Sequence, residues 1–387
     1  MILFCLLGVL AGIIAGLIPG LHSNNITIIL ATTPFFGIEI TSFILSMCIT
    51  QSFVEFIPST MLGIPSENTF ESILPAHKMV LEGKGLEAIN YTVLGGIIAV
   101  IIGALLTHPF FLFLEQNQTQ LRNITPLILT LAIIIFIKEG KNFKHKIGLI
   151  FIILAAGCQG ILFQDQLFPL ITGYFGLAGL ILSLNETKNI PNQEKGEIII
   201  NFETIKYGLI GTIGGAIVAI MPGIGSNTAG GIINTLKKIP NSKNYLTLLG
   251  SINTSNFFFS FATLLALSKA RNGAMIAIQE KIFYGEETLF FGTIIMILSA
   301  AIGGISTILL AKKATKLINK KNEQILNKIC IIFIIFLIIM MNGINGLITL
   351  IFSTALGVYT IKKGYKRSTL MSSLIIPTIL FYLFILI

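Results

Sequence analysis

The chain has 387 residues, 54% of them hydrophobic and only 11% charged, with a mean hydropathy of +0.88 and a formal charge of +9. A soluble globule carries roughly a quarter of its residues as charges, so a water-soluble enzyme or binding domain is excluded and a polytopic membrane protein is expected. The basic excess lies in short loops beside apolar runs, where it marks the cytoplasmic side of a membrane and not a nucleic-acid partner.

The first apolar run, 2–18, has no positively charged start and no small-residue cleavage site, so it reads as a retained segment. Further runs follow at 40–63, 88–114, 124–138, 147–163 and 167–184, then at 205–221, 246–268, 286–311, 326–342, 344–361 and 369–387. Most are long enough to span, which gives an all-α polytopic membrane protein with about 10–12 transmembrane helices. Runs 26–36 and 226–236 are too short to cross and suit re-entrant helices. Cys5, Cys48, Cys158 and Cys330 are scattered through apolar runs without paired spacing, so they are expected to pack, and no metal site is expected.

Gly16-Leu-Ile-Pro-Gly-Leu-His-Ser-Asn-Asn25 returns as Ala219-Ile-Met-Pro-Gly-Ile-Gly-Ser-Asn-Thr228, an offset of 203 (222 − 19 for the prolines). At the same offset Gly12 meets Gly215, Ser52 meets Ser255, and 124–184 falls on 327–387. The chain therefore reads as a first transmembrane repeat, 1–184, a polar linker, 185–204, and a second repeat, 205–387. Loop charges distinguish inverted from parallel halves. Lys138, Lys141, Lys144 and Lys146 stand against the uncharged 342–346, and Gln164-Asp-Gln166 stands against Lys362-Lys-Gly-Tyr-Lys-Arg367. Glu115–Asn123 stands against Lys312, Lys313, Lys316, Lys320 and Lys321, and Gly37-Ile-Glu39 against Lys237, Lys238 and Lys243. Parallel halves would carry matching charges. Placing each basic member in the cytoplasm gives inverted-topology repeats of about 190 residues, with the linker cytoplasmic and both termini outside.

Proline removes a backbone donor and glycine releases the helix, so Pro19-Gly20 and Pro222-Gly223 are expected to break helices inside the membrane. Ser23 and Asn24, like Ser226 and Asn227, are expected to cap the helix that follows, whose N–H groups would face an anion. The alternative is that Pro-Gly merely kinks two spanning helices and the polar residues join neighbours. Candidate substrate-binding residues are Gly20, Ser23, Asn24, Asn25, Gly223, Ser226, Asn227 and Thr228, together with Ser59, Thr60, Asn253 and Thr254 from a second polar cluster in each half. Their hydroxyl and amide oxygens suit sodium, and their donors suit a carboxylate. Glu55, a carboxylate within an apolar run, is a candidate for ion coupling with Ser255 and Asn256. Lys269 and Arg271 could pair an anion at a cavity mouth. His22 lies in the broken motif, His77 and His145 read as loop residues, and His108 as the end of a helix.

The stretch Ile64-Pro-Ser-Glu-Asn-Thr-Phe-Glu-Ser-Ile-Leu-Pro-Ala-His-Lys-Met-Val-Leu-Glu-Gly-Lys-Gly-Leu-Glu-Ala88, with Gly16–Leu21 and Pro222–Thr228, resembles the large permease subunit of tripartite tricarboxylate transporters, the TctA family, in its shorter archaeal-type branch. The resemblance implies an integral permease of the cell membrane, not an enzyme, taking up small tricarboxylates or dicarboxylates by cation symport. It also implies a small membrane subunit and an extracytoplasmic binding protein as partners. Longer members carry a Gly-rich, tyrosine-containing stretch and Pro-Gly-Glu where this chain has Gln51–Phe56 and Pro65-Ser-Glu67. Separately, Ser226-Asn-Thr228 is similar to the hairpin tips of sodium–dicarboxylate symporters. Na+ is the expected coupling ion, with no other cofactor. An intramembrane enzyme would need a catalytic set such as His-Glu-x-x-His, which is absent, and a scaffold protein has no use for polar breaks in both halves.

Overall fold

The structure, a computed structural model, describes residues 1–18, 36–63, 69–184, 191–194, 196, 198–279, 281–282, 285–317 and 320–386. The Pro19-Gly20 motif with Gly20, His22, Ser23, Asn24 and Asn25 lies outside them, as does 64–68. The described residues form helices and no strands, as expected of an all-α polytopic membrane protein.

The first half contains α1 (Ile2–Leu17), α2 (Ile38–Val54), α3 (Phe56–Leu62), α4 (Ile73–Leu81), α5 (Gly85–Gln116), α6 (Gln118–Lys138) and α7 (Phe143–Leu162). It closes with a 3-10 turn (Gln164–Gln166), α8 (Leu167–Ile171), a π-helical turn (Thr172–Leu177) and α9 (Ala178–Ser183). The second contains α10 (Phe202–Ile220), α11 (Ser226–Leu236), α12 (Ser242–Leu267), α13 (Gly273–Gln279), α14 (Glu286–Leu317), α15 (Lys320–Lys362), a 3-10 turn (Arg367–Met371) and α16 (Ser372–Leu386). Among the described residues eight helices are long and apolar enough to cross a membrane, with Ile2–Leu17 and Arg367–Leu383 as shorter apolar helices. Shifting Leu17, Gly85 and Gln164 by 203 gives 220, 288 and 367, against boundaries at Ile220, Glu286 and Arg367.

Three details differ from the sequence reading. The run 40–63 is divided at Glu55, because Pro58 has no N–H for the Val54 carbonyl one turn earlier. Residues 342–346 form no loop: two helical arms of α15 meet at Gly343, whose φ of 60° and ψ of −152° interrupt the helix. His77 and His145 lie in α4 and in the first turn of α7, and α5 continues through His108-Pro109 to Gln116.

Glycines set how the helices meet. On α1, Gly8 lies against Phe43 and Ser46, Gly12 against Met47 and Thr50, and Gly16 against Val54 of α2. Position rises along both helices together, so α1 and α2 run parallel. The second half repeats this arrangement: Gly211 abuts Leu248 and Ser251, Gly215 abuts Ile252 and Ser255, and the Ser251 hydroxyl donates to Gly208 O on α10 (2.5 Å). At the start of the pair, Asn244 Nδ2 donates to Glu203 Oε2 (3.2 Å). The chain between α10 and α12 must therefore travel back along their length, and α11 makes the return over about 16 Å at 1.5 Å per residue.

The halves are interlocked. Gly95 and Gly103 of α5 pack on Thr247 and Phe258 of α12, while Gly292 and Gly303 of α14 pack on Leu45 and Thr50 of α2. α2 and α12, equivalent under the repeat, cross in opposite directions. Leu45 and Phe261 share the neighbour Gly292, Ser52 meets Thr254, and Glu55 meets Asn253.

Polar contacts collect the connections at two ends. At one, Lys243 Nζ bonds Glu87 Oε1 (2.6 Å), Lys366 Nζ bonds Glu139 Oε1 (2.9 Å), and Gln193 Oε1 accepts from Gly85 N (2.7 Å). Asn142, Asn201 and Asn241 cap α7, α10 and α12, each accepting from a backbone N–H at 2.8 Å. At the other end, Gly37 N donates to Lys281 O (2.7 Å) and Gln118 Nε2 to Ala266 O (3.0 Å).

The glycine seams are sharply constrained. Gly215→Val should lower the thermal stability of the purified protein by about 1–3 kcal/mol or more through overpacking against Ser255 and Asn256. Gly176→Ala, whose Cβ would meet only Thr172 Cγ2 at 3.5 Å, should change it little; equal losses would refute the seam.

Candidate functional site

The second Pro-Gly motif forms a tight reversal. Met221 is extended, Gly223 has φ +79°, and a Cβ there would stand 3.2 Å from the backbone of Leu374 on α16. Both conformation and close approach demand glycine. The cap of α11 is Gly225, with no side-chain bond, so Ser226 and Asn227 are not caps as expected but occupy the first turn. This matters chemically. The hydroxyls are not consumed by capping, and the N–H groups of the first turn have no intrahelical acceptor. Ser226 and Thr228 are buried, and among the described residues Ser226 Oγ and Thr228 Oγ1 have no hydrogen-bond partner.

Gly230, one turn further, packs on Leu249 and Ile252 of α12. Since α11 runs back along α12, its N-terminus lies level with Asn253–Asn256, the stretch that crosses α2. There Asn253 Nδ2 donates to Glu55 Oε1 (2.6 Å) and to Ser52 O (3.1 Å), and the Ser52 and Thr254 hydroxyls are 3.2 Å apart. Glu55 is 5% exposed, and a carboxylate so enclosed requires such donors. The repeat gives it no counterpart: position 258 is phenylalanine.

The structure thus brings Glu55, Asn253 and Thr254 together. Other candidates are turned away. Ser255 Oγ donates to Ser251 O (2.7 Å) on the face toward Gly215, and Ser59 Oγ donates to Glu55 O (3.1 Å) within its own helix. Asn256 Oδ1 accepts from Ser260 Oγ (3.0 Å), while Thr60 is buried with no partner for its hydroxyl among the described residues. Arg271 Nη1 reaches the Tyr382 hydroxyl at 3.5 Å.

A second polar assembly escaped the sequence reading. Glu71, in the connection between α3 and α4, accepts from the Tyr245 hydroxyl (3.1 Å), and its Oε1 lies against Gly231 of α11. Burial raises the Glu71 carboxyl above the usual carboxylate range, opposed chiefly by the positive charge of Lys366. Lys366 Nζ bonds Glu139 Oε1 (2.9 Å) and Thr235 Oγ1 (2.9 Å), and Thr235 also donates to Glu139. In the sequence these charges looked like solvated loop residues, and no spacing joins them.

A family model, the tripartite tricarboxylate transporter TctA family, matches residues 2–372. The chain belongs to that family. It is also 28% identical over 395 residues to uncharacterized protein MJ1079 of Methanocaldococcus jannaschii, covering 99% of each chain. No solved structure matches. The family is one of transporters, which fits an integral, multi-pass chain whose buried polar groups gather at helix breaks and crossings.

The Glu55–Asn253 bond is expected to tie the two halves. Asn253→Leu should destabilise the protein by about 1–3 kcal/mol by stranding a buried acceptor, and adding Glu55→Leu should recover part of that loss. Strictly additive losses in melting experiments would show that the pair is not coupled.

Proposed function

We propose that this chain is a gradient-driven permease for small tricarboxylates or dicarboxylates, working by alternating access in the cell membrane. The observation that carries the reading is the start of α11, where the buried hydroxyls of Ser226 and Thr228, without partners among the described residues, follow the Pro222-Gly223 break at a helix N-terminus. A helix N-terminus enclosed in this way favours a carboxylate without a lysine beside it. Membership of the family supports the same substrate class, and supports a small membrane subunit and an extracytoplasmic binding protein as partners.

The coupling ion in this reading is Na+, held near the α2–α12 crossing by Glu55, Asn253, Thr254 and Ser52. Neutral hydroxyl, amide and backbone oxygens dominate there, and they suit sodium better than a proton. In proteoliposomes, carboxylate uptake should collapse when choline replaces sodium at constant pH and voltage. Asn227→Leu should weaken substrate binding by roughly 1–3 kcal/mol with expression retained. Sodium-independent uptake that follows an imposed pH gradient would transfer coupling to Glu55 and His22.

Inverted-topology repeats are part of the proposal. They are supported by the opposite directions of α2 and α12, since a two-fold axis in the membrane plane reverses equivalent helices. Lys243, Lys366, Glu139 and the linker at Gln193 share one end, which supports assigning that end to the cytoplasm. Single cysteines within 312–325 should resist an impermeant thiol reagent added to intact cells; labelling from outside would overturn the inversion.

A further inference from the structure

The assembly around Glu71 and Lys366 joins parts that the duplication would otherwise keep apart. Glu71 and Glu139 come from the first half; Thr235, Tyr245, Lys366 and Arg367 come from the second. Between them they grip α11 along Gly231 and Thr235, the part of the helix farther from Ser226. The contacts are enclosed on one side: the Glu139 side chain is 8% exposed and that of Lys366 43%, and among the described residues Glu139 Oε2 and Arg367 Nη1 are buried without hydrogen-bond partners.

The charges of this assembly do not recur at the offset of 203. At the offset of 203, Glu71 corresponds to Ala274, Glu139 to Asn342, Tyr245 to Ser42, Lys366 to Phe163 and Arg367 to Gln164. The charged residues of this assembly are thus matched by neutral residues at the equivalent positions, and the other end carries a different charge, the buried Lys281 beside Gly37.

We propose that Glu71, Glu139, Lys366 and Arg367, with Tyr245 and Thr235, form an ionic gate that locks the two halves together at this end and fixes α11 between them. The proposal rests on the alternating-access reading. An ion pair with one enclosed and one half-exposed partner suits a gate: it adds little net stability and can open to water from the Lys366 side, while the enclosed Glu139 carboxylate disfavours losing its partner. α11 then couples the gate to the substrate site, since one helix carries both the Ser226 turn and the Thr235 contact.

The test uses the full-length protein in detergent with its four cysteines replaced by serine and one reporter introduced. Ser368→Cys places a buried thiol beside Arg367, and Ala274→Cys places one at the position equivalent to Glu71. With Ser368→Cys as reporter, Glu139→Gln or Lys366→Met should accelerate reaction with a charged maleimide about tenfold, the ratio produced by a 1.4 kcal/mol population shift. The double variant should react no faster than either single one, because both act through one pair. Ala274→Cys should stay slow in every background. An unchanged Ser368→Cys rate, rates that multiply in the double variant, or a reactive Ala274→Cys would each overturn the gate, the last by showing general loosening. Labelling needs no substrate, so failure of carboxylate uptake would remove the transport reading and leave this result standing.

Discussion

The architecture depends on two helices that lie side by side and point the same way. In α1 and α2, and again in α10 and α12, glycine on the first helix admits the backbone of the second, and backbone contact at that range fixes their direction and register. Parallel neighbours cannot be joined by a short turn. The chain has to travel back along the pair, and in the second half that return holds the Pro-Gly reversal, the short helix α11 and the extended stretch after it. In hydrocarbon such a return is tolerable only when enclosed by protein, and α6, α12 and the segment 367–375 enclose it. The enclosed start of α11 follows from helix seams located elsewhere.

Positions that match at the offset of 203 differ by single residues with large local effects. Pro58 interrupts the first-half helix one turn after Val54, whereas Phe261 at the equivalent place lets α12 run unbroken from Ser242 to Leu267. Beside that interruption stands Glu55, matched by Phe258. The crossing of α2 and α12 therefore carries one carboxyl group where strict symmetry would demand two or none. Two carboxylates so close would repel and one would take up a proton, whereas a single one accepts the Asn253 amide and leaves the rest of the crossing to neutral oxygens.

Much of this was legible in the residues. The helix positions and the short segment 226–236 follow from hydropathy, because an apolar solvent imposes length and composition directly. Asn253 and Thr254 beside Glu55 were within reach for the same reason: polar groups in apolar runs must meet other polar groups. What was hidden were choices made in three dimensions. Ser255 and Ser59 differ from Thr254 only in the face of the helix they occupy, and the carbonyl one turn back satisfies each of them. Ser226 reads as a cap by residue type, yet the reversal at Gly223 moves the cap to Gly225. Glu71, Glu139 and Lys366 could not be paired by inspection, since sequence separations of 68 (139 − 71) and 227 (366 − 139) carry no periodicity.

The linker has a mechanical meaning. Gln193 and Glu194 bond the turn before α5, Asn90 reaches Gly196 O, and Ile199 exchanges hydrogen bonds with the Tyr91 hydroxyl in both directions. Two residues later Asn201 already caps α10. Among the described residues the linker is thus bonded to the first half at Gln193, Glu194, Gly196 and Ile199. With Ile199 held by Tyr91 and Asn201 at the start of α10, little free chain separates the first half from α10 at the end that carries the Lys243–Glu87 bond.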